Sequence, residues 1–295
     1  HGFVNNIKRI NGKLYVRTNK DLYNLVPKKS ISEQSTFVNN NVKELGDEVL
    51  EFDDQIITTN NYTIKTTKNN VTKILSPIYR SNSTIRSLLN PSIIFTSNSA
   101  AGLLAHQYKN GIWKQLLLNN KDTVTSGNVT EFSPGVLILE TRKGLVKYQY
   151  NNEGQGVYTK IGIDKNFTTN GRLFSRVING NQNLFIDSLN NFYTLDVVKN
   201  KAIYTGINID SFVNKSYWFY IYNPTSKNGW TITQKGIFKT TFNLKDGFTF
   251  KQYPFYKVDL NELSPGILAE GEGENEVLWL GSQDEKLYRY FPELA

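Results

Sequence analysis

Apolar runs recur along the chain at a regular distance, each followed by a short turn and a second run in which apolar and polar residues alternate. Leu137-Ile138-Leu139 leads through Glu140-Thr141-Arg142-Lys143-Gly144 into Leu145-Val146-Lys147-Tyr148. Near the other end, Leu278-Trp279-Leu280 leads through Gly281-Ser282-Gln283-Asp284-Glu285-Lys286 into Leu287-Tyr288-Arg289-Tyr290. Two such segments around a short turn predict a β-hairpin, and Gly144 supplies the residue that can take a positive φ at the corner.

Leu22, Ile64, Leu103, Leu145, Phe192, Ile237 and Leu287 occupy the same place in seven such units, with steps of 39 to 50 residues between them. About eight residues before each lies a β-rich run: Leu14-Tyr15-Val16, Ile56-Ile57, Ile93-Ile94-Phe95, Leu137-Ile138-Leu139, Leu184-Phe185-Ile186, Trp230-Thr231-Ile232 and Leu278-Trp279-Leu280. Candidate inner strands precede these at 7–10, 49–52, 84–88, 129–132, 173–178, 217–222 and 266–270, with Asn-Gly, Asp-Gly and Pro-Gly turns as punctuation. No segment has a convincing helical period.

A repeat of about 44 residues is that of a four-stranded propeller blade. The expected fold is therefore all-β, a seven-bladed β-propeller over residues 1–295 as a single domain. Gly2-Phe3-Val4-Asn5-Asn6 is similar to Thr36-Phe37-Val38-Asn39-Asn40, at the place of an outer strand. The N-terminal strand is accordingly expected to pair into the last blade and close it.

Composition narrows the function. A chain of 295 residues can bury roughly 75% of its surface and needs no disulfide or metal to fold. It has no cysteine, which removes disulfides, thiol catalysis and cysteine-ligated metal sites. The two histidines, His1 and His106, are too few for a multi-histidine metal site, and His106 is expected to be a satisfied structural residue; no metal and no cofactor are expected. The net charge of +8 comes from Lys and Arg spread over every repeat, without a basic stripe, so nucleic acid is not an expected partner. No apolar run is long enough to span a membrane. Starting at His1 rather than Met, with no leader before the first strand, the chain reads as a processed or engineered fragment, one propeller cut out of a longer protein or a free-standing relative.

The segments Thr141-Arg142-Lys143-Gly144-Leu145-Val146-Lys147-Tyr148, Leu278-Trp279-Leu280-Gly281-Ser282 with Leu287-Tyr288-Arg289-Tyr290, and Gly229-Trp230-Thr231-Ile232-Thr233-Gln234-Lys235-Gly236-Ile237-Phe238 resemble the two-component regulator propeller repeat. The other units keep only the apolar skeleton, and the last turn lacks the glycine before Leu287. The resemblance implies the sensor region of a bacterial hybrid two-component receptor, on the periplasmic or extracellular side of a Gram-negative cell. Further domains of the same receptor, or a homodimer, are the implied partners, together with a small-molecule or oligosaccharide ligand.

Two sets of residues are candidates for that ligand. By propeller geometry the turns between second and third strands gather on one rim, which holds Arg17, Lys20, Asn60, Arg142, Lys143, Gln234, Lys235 and Gln283, with Tyr62 beside them. Long donors of this kind suit carboxylates, sulfates or sugar hydroxyls. The second set is charged residues on inner strands: Glu51, Glu131 and Glu270 with Arg86 and Arg176. They either line a polar tunnel or pair between blades, and pairing is the preferred reading. The leading function is non-catalytic recognition. The alternatives are a propeller enzyme, a polysaccharide lyase or hydrolase using tunnel acids, and a protein-interaction scaffold.

Overall fold

The computed structural model describes residues 3–10, 12–26, 36–39, 48–59, 62–68, 71–77, 81–99, 102–118, 126–141, 144–163, 173–178, 182–187, 191–208, 218–233, 235–243, 245–255, 262–283 and 286–294. They form seven sheets of consecutive strands, and the fold class is that of a seven-bladed β-propeller.

The first sheet is Val4–Ile10, Lys13–Thr18, Leu22–Val26 and Thr36–Asn39; the second is Glu48–Phe52, Gln55–Thr59, Thr63–Lys68 and Val71–Pro77. The third is Ser81–Arg86, Ile93–Asn98, Gly102–Lys109 and Ile112–Leu116; the fourth is Ser126–Ser133, Val136–Thr141, Gly144–Tyr150 and Gly156–Lys160. The fifth is Leu173–Ile178, Gln182–Asp187, Asn191–Asp196 and Lys201–Asn208, with Gly162–Ile163 added in parallel on its far edge. The sixth is Trp218–Tyr222, Gly229–Thr233, Gly236–Asn243 and Gly247–Tyr253, and the seventh has three strands, Leu263–Glu270, Val277–Ser282 and Leu287–Tyr290.

The chain divides into two compact units. One is His1–Leu45, Val177–Gln182 and Ile207–Ala295; the other is Gly46–Arg176 and Asn183–Gly206. Within each unit the sheets bury side chains on both faces, which is why the second strands read as unbroken apolar runs. Successive residues of a strand point to opposite faces, so Ile93 and Phe95 pack with Leu137, Leu139 and Tyr148 of the fourth sheet. Ile94, between them, packs with Phe52, Ile57 and Ile64 of the second. In the same way Ile138 turns to Phe185 and Tyr193 of the fifth sheet. Each such residue contributes roughly 1.5–3 kcal/mol of burial free energy. Six of the seven repeat residues, Leu22, Ile64, Leu103, Leu145, Phe192 and Ile237, are at most 1% exposed; Leu287 alone is half-buried.

A small polar residue closes the turn after the second strand in five sheets. Thr18 Oγ1 accepts from the amides of Lys20 and Asp21, and Thr141 Oγ1 donates to the Gly144 carbonyl at 2.7 Å. Asp187 accepts from the Asn191 amide, Thr233 from the Lys235 amide and Ser282 from the Lys286 amide. Gly144 takes φ 116° at its corner, as its place in the hairpin requires.

The closure differs from the expectation. Val4 pairs with Thr18 inside the first sheet, as part of one strand with a bulge between Val4 and Asn6, and the Phe3 carbonyl accepts from the Asn19 amide. The first and last sheets are joined face to face instead. Val4, Ile7, Leu14 and Val16 form one core with Val277 and Trp279. The physical reason is visible at Gly266 and Gly281: a Cβ on either would strike the Val4 side chain, so the bare backbone of the last sheet is the seat for that valine.

Candidate functional site

The inner-strand charges are held by neighbouring sheets. Arg9 donates from Nε to Glu270 Oε2 at 2.7 Å and from Nη2 to Oε1, while its Nη1 reaches the Gly12 carbonyl. Trp279 Nε1 donates to the same carboxylate at 2.8 Å. Burial alone would raise the Glu270 pKa, but the bonds from Arg9 and Trp279 and the charge of Arg9 outweigh it and hold the group below the ordinary glutamate value. Arg9 is raised in return, chiefly by its bond to Glu270.

Arg86 lies over the Phe52 ring at 4.2 Å, donates to the Pro91 carbonyl at 2.6 Å and pairs with Asp53 at 3.2 Å. Asp53 itself occupies a turn with φ 53°. Glu131 accepts from the Leu88 amide at 2.6 Å, from the Gly135 amide and from the Tyr150 hydroxyl. Burial and the bond to Glu131 raise the Tyr150 pKa, so the phenol stays a donor. Glu51 is half-buried on the strand Glu48–Phe52.

Among the described residues the most enclosed acid is one the sequence reading passed over. Glu276 is 1% exposed and precedes the strand Val277–Ser282. Its Oε1 accepts from Asn223 Nδ2, Ser226 Oγ and Trp230 Nε1, and its Oε2 from Asn228 Nδ2, all between 2.6 and 2.9 Å. Asn223 also reaches the Gly271 carbonyl. The donors stand one repeat away in sequence, so no local motif announces them. Arg9 was missed as well, although it sits near the end of an inner strand, as Arg86 and Glu131 do.

Of the turn candidates, Arg17 is 7% exposed on the second strand, Lys20 is exposed, Lys235 is exposed with its carbonyl accepting from Gln252, and Gln283 is exposed with its amide donating to the Glu262 carbonyl. Tyr62 is exposed. Asn60, Arg142, Lys143 and Gln234, and the side chain of Arg176 on Leu173–Ile178, lie outside the described residues.

His106 is buried on the strand Gly102–Lys109 between Ile94 and Gln115 of its neighbours. Contrary to the expected satisfied residue, neither ring nitrogen has a hydrogen-bond partner among the described residues. Burial lowers its pKa to about 4 and keeps it neutral at pH 7. Among the described residues no group of three or more His, Asp or Glu is placed to hold a metal ion, and no helix is long and apolar enough to cross a membrane.

Chemically, Glu131, Glu270 and Glu276 have their oxygens occupied by donors, and what the exposed turns offer is amide and ammonium donors. No family model and no curated protein matches the chain. Solved structures do. The extracellular domain of a hybrid two-component system from B. thetaiotaomicron superposes with TM-score 0.62 at 12% identity, over 98% of this chain and 40% of that one. A catalytically inactive histidine-to-alanine form of virginiamycin B lyase from Staphylococcus aureus, with quinupristin, gives 0.62 at 14% identity over 98% and 94%. PorZ, a surface component of the type-IX secretion system of Porphyromonas gingivalis, gives 0.59 at 10% over 98% and 36%. The chain thus spans less than half the length of the two-component receptor domain and of PorZ, and at these identities the likeness establishes the fold.

Proposed function

We propose that this chain is a non-catalytic recognition propeller, the extracytoplasmic sensor portion of a bacterial two-component receptor, and that its ligand is an oligosaccharide, above all an acidic one. The observation that carries the reading is the state of its acids: Glu131, Glu270 and Glu276 each accept bonds from neighbouring strands or sheets and serve as structural ties. A glycosidase pair would need one carboxyl free to hold a proton over a substrate. The likeness to an extracellular two-component domain supports the same reading, and so does the resemblance of the repeats. Arg142, Lys143, Lys235, Gln283 and Asn60 are the proposed ligand donors, with Arg17, Arg86 and Arg176 as further cations.

The test is a thermal-shift series with neutral and acidic oligosaccharides, since a ligand that binds only the folded state raises the melting temperature once it exceeds its dissociation constant. Arg142→Ala and Lys143→Ala should each weaken an acidic hit. Unchanged affinity in both would remove the turn assignment, and no shift with any glycan would remove the carbohydrate class.

An enzyme is the second reading, favoured by the lyase likeness over 94% of that protein's length. The lyase is inactive without one histidine, whereas here His106 is shut inside its sheet packing. Incubation with quinupristin, followed by chromatography that resolves the substrate from an opened product of equal mass, separates the readings: turnover would establish catalysis.

A further inference from the structure

Among the described residues the seventh sheet has three strands. Six sheets have four or more strands, but nothing among the described residues pairs with the outer edge of Leu287–Tyr290. The Ser282 amide donates to the Lys286 carbonyl, and Leu280 opposes Tyr288. Antiparallel strands alternate bonded and non-bonded pairs, so the backbone groups of Leu287 and Arg289 point away from the sheet. Burial records the same vacancy in the pattern: Leu145 and Ile237, with a fourth strand beyond them, are fully buried, whereas Leu287 is only half-buried, as are Tyr288 and Tyr290.

A second observation concerns charge. Arg289 is exposed and its guanidinium lies over the Phe291 ring at 5.0 Å and the Trp279 ring at 5.8 Å. Among the described residues no carboxylate pairs with it. The neighbouring inner-strand cation, Arg9, has Glu270; Arg289 is fixed on an aromatic bed beside an open strand edge, in a chain of net charge +8.

We infer that the open edge of Leu287–Tyr290 is a docking site for an extended peptide of alternating apolar and acidic residues, which adds antiparallel as the fourth strand. Its backbone bonds to the amides and carbonyls of Leu287 and Arg289. Its apolar side chains cover Tyr288 and Tyr290 on one face, and its acidic side chains, all on the other, meet Arg289 beside Leu287. Backbone pairing supplies affinity in such strand addition, and the side chains supply selection.

A fluorescent, end-blocked hexapeptide alternating valine and glutamate is the probe, with a lysine counterpart and an N-methylated control. Binding of the glutamate peptide should be seen by anisotropy, with hydrogen exchange at the Leu287 and Arg289 amides slowed, and N-methylation should abolish it. Arg289→Glu, checked for an unchanged melting curve, should weaken the glutamate peptide about fivefold and improve the lysine peptide to a similar degree, as one partly exposed ion pair allows. Absence of binding by the folded protein would overturn the proposal, as would binding without protection of those two amides. Protection that rises with protein concentration in the absence of peptide would assign the edge to a second copy instead and overturn it too. Protection brought about by flanking sequence in a longer form of the protein would assign the edge to the chain itself, with the same consequence.

Discussion

Val4 and Gly281 share one space: the valine side chain stands where a side chain on the glycine would be, and this contact joins the first and last sheets. Gly281→Ala should therefore overpack the junction and cost about 1–3 kcal/mol. In a denaturant titration, Val4→Ala combined with Gly281→Ala should recover part of that loss, because the two changes act on one volume. Strict additivity would show that the junction does not depend on this contact.

Trp279 tests the same junction from the other side. It packs with Ile7, Leu14 and Val16 while its ring nitrogen holds Glu270, so Trp279→Ala should cost about 3–5 kcal/mol. Calorimetry reads the loss; a change below about 1 kcal/mol would mean the residue is not part of a core.

Glu276 accepts from four side-chain donors. Glu276→Leu leaves Trp230, Asn223, Ser226 and Asn228 facing an apolar group, and about 3 kcal/mol or more should be lost. Glu276→Gln should cost less, since one acceptor oxygen remains. Equal losses in the two variants would show that shape, and not acceptance, is what the position requires.

Two pH windows follow from two groups. His106 is neutral in the fold with its pKa near 4, below the ordinary 6.5, so the unfolded chain takes up the proton first as pH falls. Stability should decline from pH 6.5 towards 4, by at most about 1.4 kcal/mol per pH unit from this residue, and His106→Leu should flatten that slope. Glu270 has its pKa lowered from 4.5. Its contribution is full above that value and is lost below it, in a window where Arg9→Gln should remove the effect. Melting curves from pH 7 to 3 separate the two; an unchanged upper slope in His106→Leu would contradict the first.

Much of the fold was legible because burial on both faces leaves a strong signature: the apolar runs, the repeat spacing and the buried residues from Leu22 to Ile237 all stand where the pattern put them. The N-terminal strand was misread because the same letters serve two environments. Val4 is 2% exposed and Val38 is 47% exposed, and only the bulge beside Asn6 and the glycines 266 and 281, more than 250 residues away, decide between them. The charge ties were legible in type and illegible in partner. Glu270 was marked, but Arg9 lies 261 residues off, and the donors to Glu276 carry no periodic signal. A polar turn residue such as Thr18 or Ser282 could have been read as a cap from its place before each corner.

Gly162 and Ile163 leave the fourth sheet and lie in parallel along Lys201 and Ala202, on the far edge of the fifth. The unit of sequence repetition and the unit of hydrogen bonding therefore part company there. Anyone who builds shortened or shuffled versions of this chain by cutting at repeat boundaries would remove a short strand from the blade that is kept, so a cut after Lys160 would bare the backbone of Lys201 and Ala202 that Gly162 and Ile163 pair with.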